Sequence, residues 1–375
     1  IGDSYMAVGG LPTPNETHAK DAIDAALVDL SSRKAKLIHA NATTIPTPLR
    51  NEILQLCSSG KDEIERMGQL DSKLGMLFAT AVSQLLNESR VTAEQISAIG
   101  SHGQTIRHRP NSPNPFTTQI GSAAIIAQQT GITTVADFRS RDIAVGGQGA
   151  PLVPAFHALQ FDSKLEQRCI LNIGGIANIT RLSGSTGKPV IGLDSGPGNL
   201  LINGWCQRHL QQPYDDGGQW GATGKINEQL LTSLLTEPYF ALPAPKSTGR
   251  ELFNLTWLEH HLAALPKLAA EDVQATLIEL TAVSIQMALN NYAKECDSVY
   301  VCGGGAHNNQ LMARIAAQVS PTKVSSSQKI GLHPDWVEAC AFAWLAKQAM
   351  LGLPGNLPEV TGAKNPVILG AIYPA

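Results

Sequence analysis

Two apolar runs of strand length, Arg168–Ile173 and Ala177–Leu182, stand on either side of Gly174-Gly175. Such runs joined by a glycine pair predict an antiparallel hairpin with an exposed-backbone turn. A third run, Val190–Asp194, follows as a strand. Val273, Leu277, Leu280, Ser284 and Met287 then fall on one helical face, which predicts a helix over 273–287. That helix feeds a strand at Ser298–Val301, which ends in Gly303-Gly304-Gly305. Ala-rich Trp336–Met350 predicts a further, buried helix. Strands alternating with helices in this way specify an α/β layer.

The first half is compatible with the same alternation. A buried strand is expected at Asp24–Leu30. Ile64, Met67, Leu70, Leu74, Leu77, Phe78, Val82 and Leu85 predict a long amphipathic helix within 62–89. A short helix is expected at Thr92–Ile96, an apolar strand from Ile96 into Ser101-His102-Gly103, a loop at 108–115, a helix at Ala123–Gln129 and a strand at Thr133–Phe138. The Gly/Pro-rich stretch Val145–Pro154 marks a junction. The 375 residues suit about two domains. The expected division is 1–150 and 151–375, with the extreme C-terminus returning to the first lobe.

Composition removes several function classes. Lys plus Arg is 28 and Asp plus Glu is 31, a formal charge of −3. A nucleic-acid binder would carry a basic stripe. No window is apolar for long enough to span a membrane, and the N-terminus lacks the order of a secretory signal. Six Cys are spread without a C-x-x-C pair, which argues against structural zinc and disulfide staples and for buried thiols in a cytoplasmic protein.

Five strings concentrate the polar chemistry. In LNIGGIANIT, Gly174 and Gly175 expose backbone N–H groups suited to phosphate, with Asn178 beside them, although a plain hairpin turn fits as well. In GLDSGPGNLL, Asp194 is expected at the C-terminal end of a strand, before a turn into a helix. That is where α/β proteins place ligand-binding carboxylates, and helix capping is the competing role. In YVCGGGAHNN, Gly303, Gly304 and Gly305 let backbone press on a flat or phosphorylated ligand, with Asn308 in the first turn of the next helix. SHGQT and ADFRSRDIAVGGQGAPLVPAFH bring His102, Gln104, Arg107, Asp137, Arg139, Arg141, Asp142 and Gln148 close in sequence to the expected cleft. For each taken singly, a satisfied structural role weighs at least as much. PKSTGRELFN, with Lys246, Arg250 and Glu251, is a further polar loop without an assigned role.

Together with WVEACAFAWLA (336–346) and LPGNLPEVTGA (353–363), these strings resemble, in order, the anhydro-N-acetylmuramic acid kinase family of bacterial cell-wall recycling. The resemblance implies two ribonuclease-H-like lobes with an interdomain ATP and substrate cleft. It implies an ATP- and Mg²⁺-dependent sugar kinase that opens a 1,6-anhydro bridge hydrolytically and phosphorylates the freed 6-oxygen. Asp194 would be the catalytic base. Ser101, His102, Gly103, Asp137, Arg139, Gln148 and Glu338 would bind the sugar. Asp21, Asp24, Gly174, Gly175, Asn178, Gly303, Gly304, Gly305 and Asn308 would bind ATP. A small-molecule partner, a bacterial cytoplasmic location and a homodimer through the second lobe are also implied, with no nucleic acid or membrane.

One stretch departs from the family. Its first phosphate loop, Met-Ser-Gly-Thr-Ser-x-Asp-Gly, is absent. Before Ile23 the chain reads Thr17-His18-Ala19-Lys20-Asp21-Ala22, where only Asp21 and Asp24 fit and Ala22 replaces the Gly. A second reading is therefore a catalytically impaired member that still binds the sugar.

Overall fold

The computed structural model describes residues 4–9 and 22–375. The elements up to the middle of the chain are β1 (Ser4–Gly9), β2 (Ala22–Asp29), β3 (Lys36–Thr44), α1 (Thr47–Leu56), α2 (Glu63–Ser89), β4 (Ala98–Ser101), β5 (Gln104–Arg109), β6 (Phe116–Ile120), α3 (Ala123–Thr130), β7 (Thr134–Ala136), α4 (Ser140–Ala144) and α5 (Val153–Phe161). Then come β8 (Arg168–Ile173), β9 (Ile176–Arg181), β10 (Ile191–Pro197), α6 (Asn199–Leu210), α7 (Glu228–Leu234), α8 (Leu255–Leu262), α9 (Ala270–Tyr292), β11 (Ser298–Cys302), α10 (Asn309–Gln318), β12 (Lys323–Ser326), α11 (Val337–Met350), α12 (Pro358–Thr361) and β13 (Ala371–Tyr373).

The described residues form two units. One holds residues 4–9, 22–160 and Trp336–Ala375; the other is Phe161–Asp335. In the first, the sheet order is β13-β7-β4-β1-β2-β3. β1, β2 and β3 are antiparallel, while β1 to β4 and β4 to β7 are parallel. β2 reads AIDAALVD, apolar almost throughout, because helices cover both faces of the sheet. Met6, Val8, Ile23, Ala25, Leu27 and Ile99 join the core with Leu70, Leu74, Phe78 and Val82 of α2. Gly100 of β4 faces α11, where an added Cβ would lie 2.2 Å from the Phe342 carbonyl. The missing side chain is what lets the helix backbone sit against the strand.

The second unit has the order β10-β9-β8-β11-β12, with three antiparallel strands followed by two parallel ones. Numbered within each unit, both sheets run 3-2-1-4-5, the order of ribonuclease-H-like domains, and the first adds β13 at its edge. Leu171, Ile179 and Leu193 of the second sheet share a core with Leu277, Leu280 and Ile285 of α9.

The chain crosses between units at 160/161, beyond the expected 150/151. Val145–Pro154 is thus an internal loop of the first unit. Gln160 of α5 explains the shift. Its carboxamide accepts from Ala35 N–H at 2.8 Å and donates to Ala35 O at 3.2 Å. The returning segment is also longer than an extreme C-terminus, because all of α11 packs on β1, β2 and β4. The expected hairpin, the long helix and the strand at 298–301 are present within a residue or a few. Thr92–Ile96 is a single 3₁₀ turn at Ala93–Gln95, closed by a capping box. The hairpin β5–β6 was not foreseen.

Candidate active-site residues

In the first unit, β4 ends at Ser101 and hands the chain to His102 and Gly103. Gly103 has φ of +73°, and an added Cβ would approach Ile120 O to 2.9 Å. Its backbone therefore requires glycine. The buried His102 ring is held at both nitrogens. Nδ1–H donates to Gly103 O at 2.9 Å, and Nε2 accepts from Arg139. Phe342 covers the ring face, with centroids 4.6 Å apart. Burial first, and then the Arg139 charge, push the His102 pKa well below its usual value, so the ring is neutral. Arg139 Nη1 also donates to Gly149 O at 2.8 Å.

Glu338 lies one turn before Phe342 on α11. Burial raises its carboxyl to about 7; Arg139 opposes the rise and the Asp24 charge adds to it. Ser101, His102, Gly103, Arg139, Glu338 and Asp24 thus come together around one strand end. The resemblance groups Asp24 with the nucleotide; here its charge acts on Glu338 within this cluster. The Ser101 hydroxyl is buried and has no hydrogen-bond partner among the described residues.

Asp137 and Gln148 sit differently. Asp137 is exposed, with φ of +56°, and its carboxylate accepts from Ser140 Oγ at 2.5 Å. Gln148 donates to Asn111 Oδ1 at 3.1 Å. The loop they share is built on Asp142, one of the polar residues of ADFRSRDIAVGGQGAPLVPAFH to which the sequence assigns no separate role. Its fully buried carboxylate accepts from Gly149 N–H, Asn356 Nδ2 and Thr361 Oγ1 at 2.7–2.8 Å. Asp21 lies outside the described residues.

In the second unit, Asp194 is not at a strand end. β10 continues to Pro197, and its register with β9 jumps between Asp194 and Gly196. Ser195 is the extra residue of a β-bulge, a device that re-aims a side chain. Glycine and proline in SGPG had suggested a turn; pairing with Ala177 and Ile176 keeps the segment in the sheet. Asp194 lies opposite Asn178. Its Oδ2 accepts from Thr248 N–H at 3.0 Å, its N–H donates to Lys246 O at 3.1 Å, and its carbonyl accepts from Tyr239 Oη at 2.9 Å. Thr248 was missed because a backbone donor 54 residues away has no side-chain signature.

The glycine hairpin and α6 are joined through backbone. Gly174 O accepts from Asn199 N–H at 2.8 Å, and Gly175 O accepts from Gly198 and Leu200 N–H at 2.9 and 3.1 Å. The start of α6 therefore spends these N–H groups inside the protein, rather than presenting them to an anion. In the triple glycine, a Cβ on Gly303 would lie 2.4 Å from Asn172 Oδ1, and one on Gly305 2.4 Å from Ile173 Cγ2. A Cβ on Gly304 would meet nothing closer than Asn199 Nδ2 at 4.0 Å. The middle glycine alone faces open space, as a ligand cradle would require. Asn308 is the N-cap of α10, its Oδ1 accepting from Leu311 N–H at 2.9 Å, just before the first turn where it was expected.

A sequence model described as anhydro-N-acetylmuramic acid kinase matches residues 17–375. The chain belongs to the anhydro-N-acetylmuramic acid kinase family. Family members of that name are 51% identical over 353 residues in Coxiella burnetii (strain RSA 493 / Nine Mile phase I), covering 94% of this chain and 94% of that one. The Pasteurella multocida (strain Pm70) member is 52% identical over 355 residues, again 94% of each. The Shewanella oneidensis member is 50% identical over 355 residues, covering 95% of this chain and 96% of its own. Among solved structures, an activator of 2-hydroxyisocaproyl-CoA dehydratase from Clostridium difficile with bound ADPNP aligns at TM-score 0.47 and 11% identity, covering 94% of this chain and 97% of that one. The anhydro-N-acetylmuramic acid kinase match begins within the stretch that departs from the family's first phosphate loop. No helix among the described residues is long and apolar enough to cross a membrane.

Proposed function

We infer that this chain is an ATP-dependent kinase acting on 1,6-anhydro-N-acetylmuramic acid, with Asp194 as the base. The observation that carries the reading is 50–52% identity, over nearly the whole chain, to kinases named for that sugar. At that identity the catalytically impaired alternative is not favoured.

The substrate has no free 6-hydroxyl, so bridge opening and phosphorylation belong together. The Asp194 carboxylate takes a proton from water, and the water oxygen bonds to the anomeric carbon. The bond from that carbon to the bridge oxygen breaks. The freed 6-oxygen bonds to the γ-phosphorus of ATP as the bond to the ADP oxygen breaks. The products are N-acetylmuramic acid 6-phosphate and ADP, and the proton passes from Asp194 to solvent. Fixing Oδ2 on the Thr248 N–H gives the carboxylate one orientation, which supports general-base work.

Gly303–Gly305 suit the adenosine end of ATP, and Gly174 and Gly175, with Asn178, its phosphates. Mg²⁺ binds chiefly through phosphates, with one or two carboxylates, and neutralises their charge. It needs no preformed cage, and the described residues contain no cluster of three or more His, Cys, Asp or Glu for one. On the sugar side, the Ser101 hydroxyl, which has no partner among the described residues, and the Glu338 carboxyl, which burial brings near neutrality, supply donors and acceptors for hydroxyl and amide groups, while His102 and Arg139 hold each other in place. A bacterial cytoplasmic location, a role in cell-wall recycling and a homodimer complete the reading; sedimentation equilibrium tests the last.

Asp194→Asn keeps the shape and removes the proton acceptor. Sugar and ATP are expected to bind within about a few-fold of wild type while kcat falls by about 10²-fold or more. A variant with near-wild-type kcat excludes Asp194 as the base.

A further inference from the structure

The string PKSTGRELFN has no part in the reaction as derived above, yet it begins on the backbone of Asp194. The segment from Tyr239 to Thr248 reaches that residue at its N–H, its carbonyl and its carboxylate. We propose that Tyr239 and Lys246 are positioning residues for Asp194, Lys246 acting through Tyr239. The proposal rests on the reading of Asp194 as the base.

A β-bulge gives Asp194 its direction but weakens the ladder that would hold it, since the extra residue is unpaired. The loop replaces what the ladder loses. Tyr239 Oη donates to the Asp194 carbonyl at 2.9 Å from a side chain only 5% exposed. Burial, aided by the Asp194 and Glu251 charges, holds the phenol in its protonated, donating form. Phe240 supports the next residue but one, where a Cβ on Gly196 would lie 2.8 Å from its ring.

Lys246 fixes Tyr239 in turn. Its ammonium donates to Tyr239 O at 3.1 Å and Phe240 O at 3.2 Å, and stands 4.6 Å from the Tyr239 ring centre. These contacts use the lysine inside the loop, which argues against a direct role on phosphate. The Lys246 carbonyl meanwhile accepts from Asp194 N–H at 3.1 Å. The loop base is pinned separately, Trp257 Nε1 donating to Glu237 Oε2 at 3.1 Å.

The test is a double-mutant cycle on the full chain with ATP and anhydro-sugar. Tyr239→Phe and Lys246→Met should each lower kcat by about tenfold or more, with both KM values within about twofold of wild type. The double variant should lose little beyond either single one, because both act along one relay. Lys246→Arg, which can still donate to the two carbonyls and stack on the ring, should restore most of the loss. In an Asp194→Asn background, Tyr239→Phe should cost nothing more. Multiplied losses in the double variant, a raised KM at unchanged kcat, or a Lys246→Arg variant as slow as Lys246→Met would each overturn the proposal. If Asp194→Asn itself stays active, the base reading fails instead. Melting curves on every variant separate a positioning loss from unfolding.

Discussion

Nε and Nη2 of Arg139 both donate to one nitrogen of His102, at 3.0 and 2.9 Å. That fork fixes the histidine as a neutral ring with its proton on the side of Gly103, and it spends part of the guanidinium's hydrogen-bonding capacity. Arg139 then acts on Glu338 mainly through charge. Its pull does not cancel the cost of burial, and the Glu338 carboxyl titrates near neutrality.

Stability should record that titration. An unfolded chain ionises Glu338 near its usual 4.5, whereas the folded chain keeps the proton until about 7. Between those values the folded state holds the extra proton, so this group's contribution to stability declines as pH rises and levels off above 7. Glu338→Gln removes the decline. The melting temperature of the variant relative to wild type should rise from about pH 4.5 to about pH 7 and then stay constant. A difference that does not change with pH would remove the buried-carboxyl reading.

His157 works in the opposite sense. It is 1% exposed, and burial lowers its pKa to about 3. Below its usual 6.5 the unfolded chain takes up a proton that the folded chain refuses, so stability is lost as pH falls through that window. At about 1.4 kcal/mol per pH unit, His157→Gln should reduce the loss between pH 7 and pH 5 by about 2 kcal/mol. Urea unfolding at the two pH values measures it; an unchanged difference would mean that His157 charges freely in the folded state.

The three consecutive glycines should separate by substitution. Gly304→Val should leave the melting temperature near that of wild type and weaken ATP binding sharply, because its side chain enters open space. Gly305→Ala should cost about 1–3 kcal/mol of stability, its methyl forced against Ile173. Calorimetric titration with ATP and thermal melting distinguish the two effects. Full nucleotide affinity in Gly304→Val would take the adenosine away from this loop.

Local sequence was enough for the long helix, the glycine hairpin and the strand before the triple glycine. Each is set by spacing and turn chemistry within about a dozen residues. The ordered strings sufficed for the family. Other features depended on partners far away in the chain. SGPG reads as a turn, and only pairing with β9 makes it a bulged strand around Asp194. Val145–Pro154 reads as a linker, and only the buried Asp142, bonded to Asn356 and Thr361 more than two hundred residues on, makes it a fixed loop. The α11 segment follows the second unit in sequence, but its small residues and Gly100 let it lie on the first sheet. PKSTGRELFN reaches Asp194 through backbone carbonyl and N–H groups of Lys246 and Thr248. Every residue but proline carries the same pair of these groups, so no residue type announces where they will point; only the tertiary fold aims them.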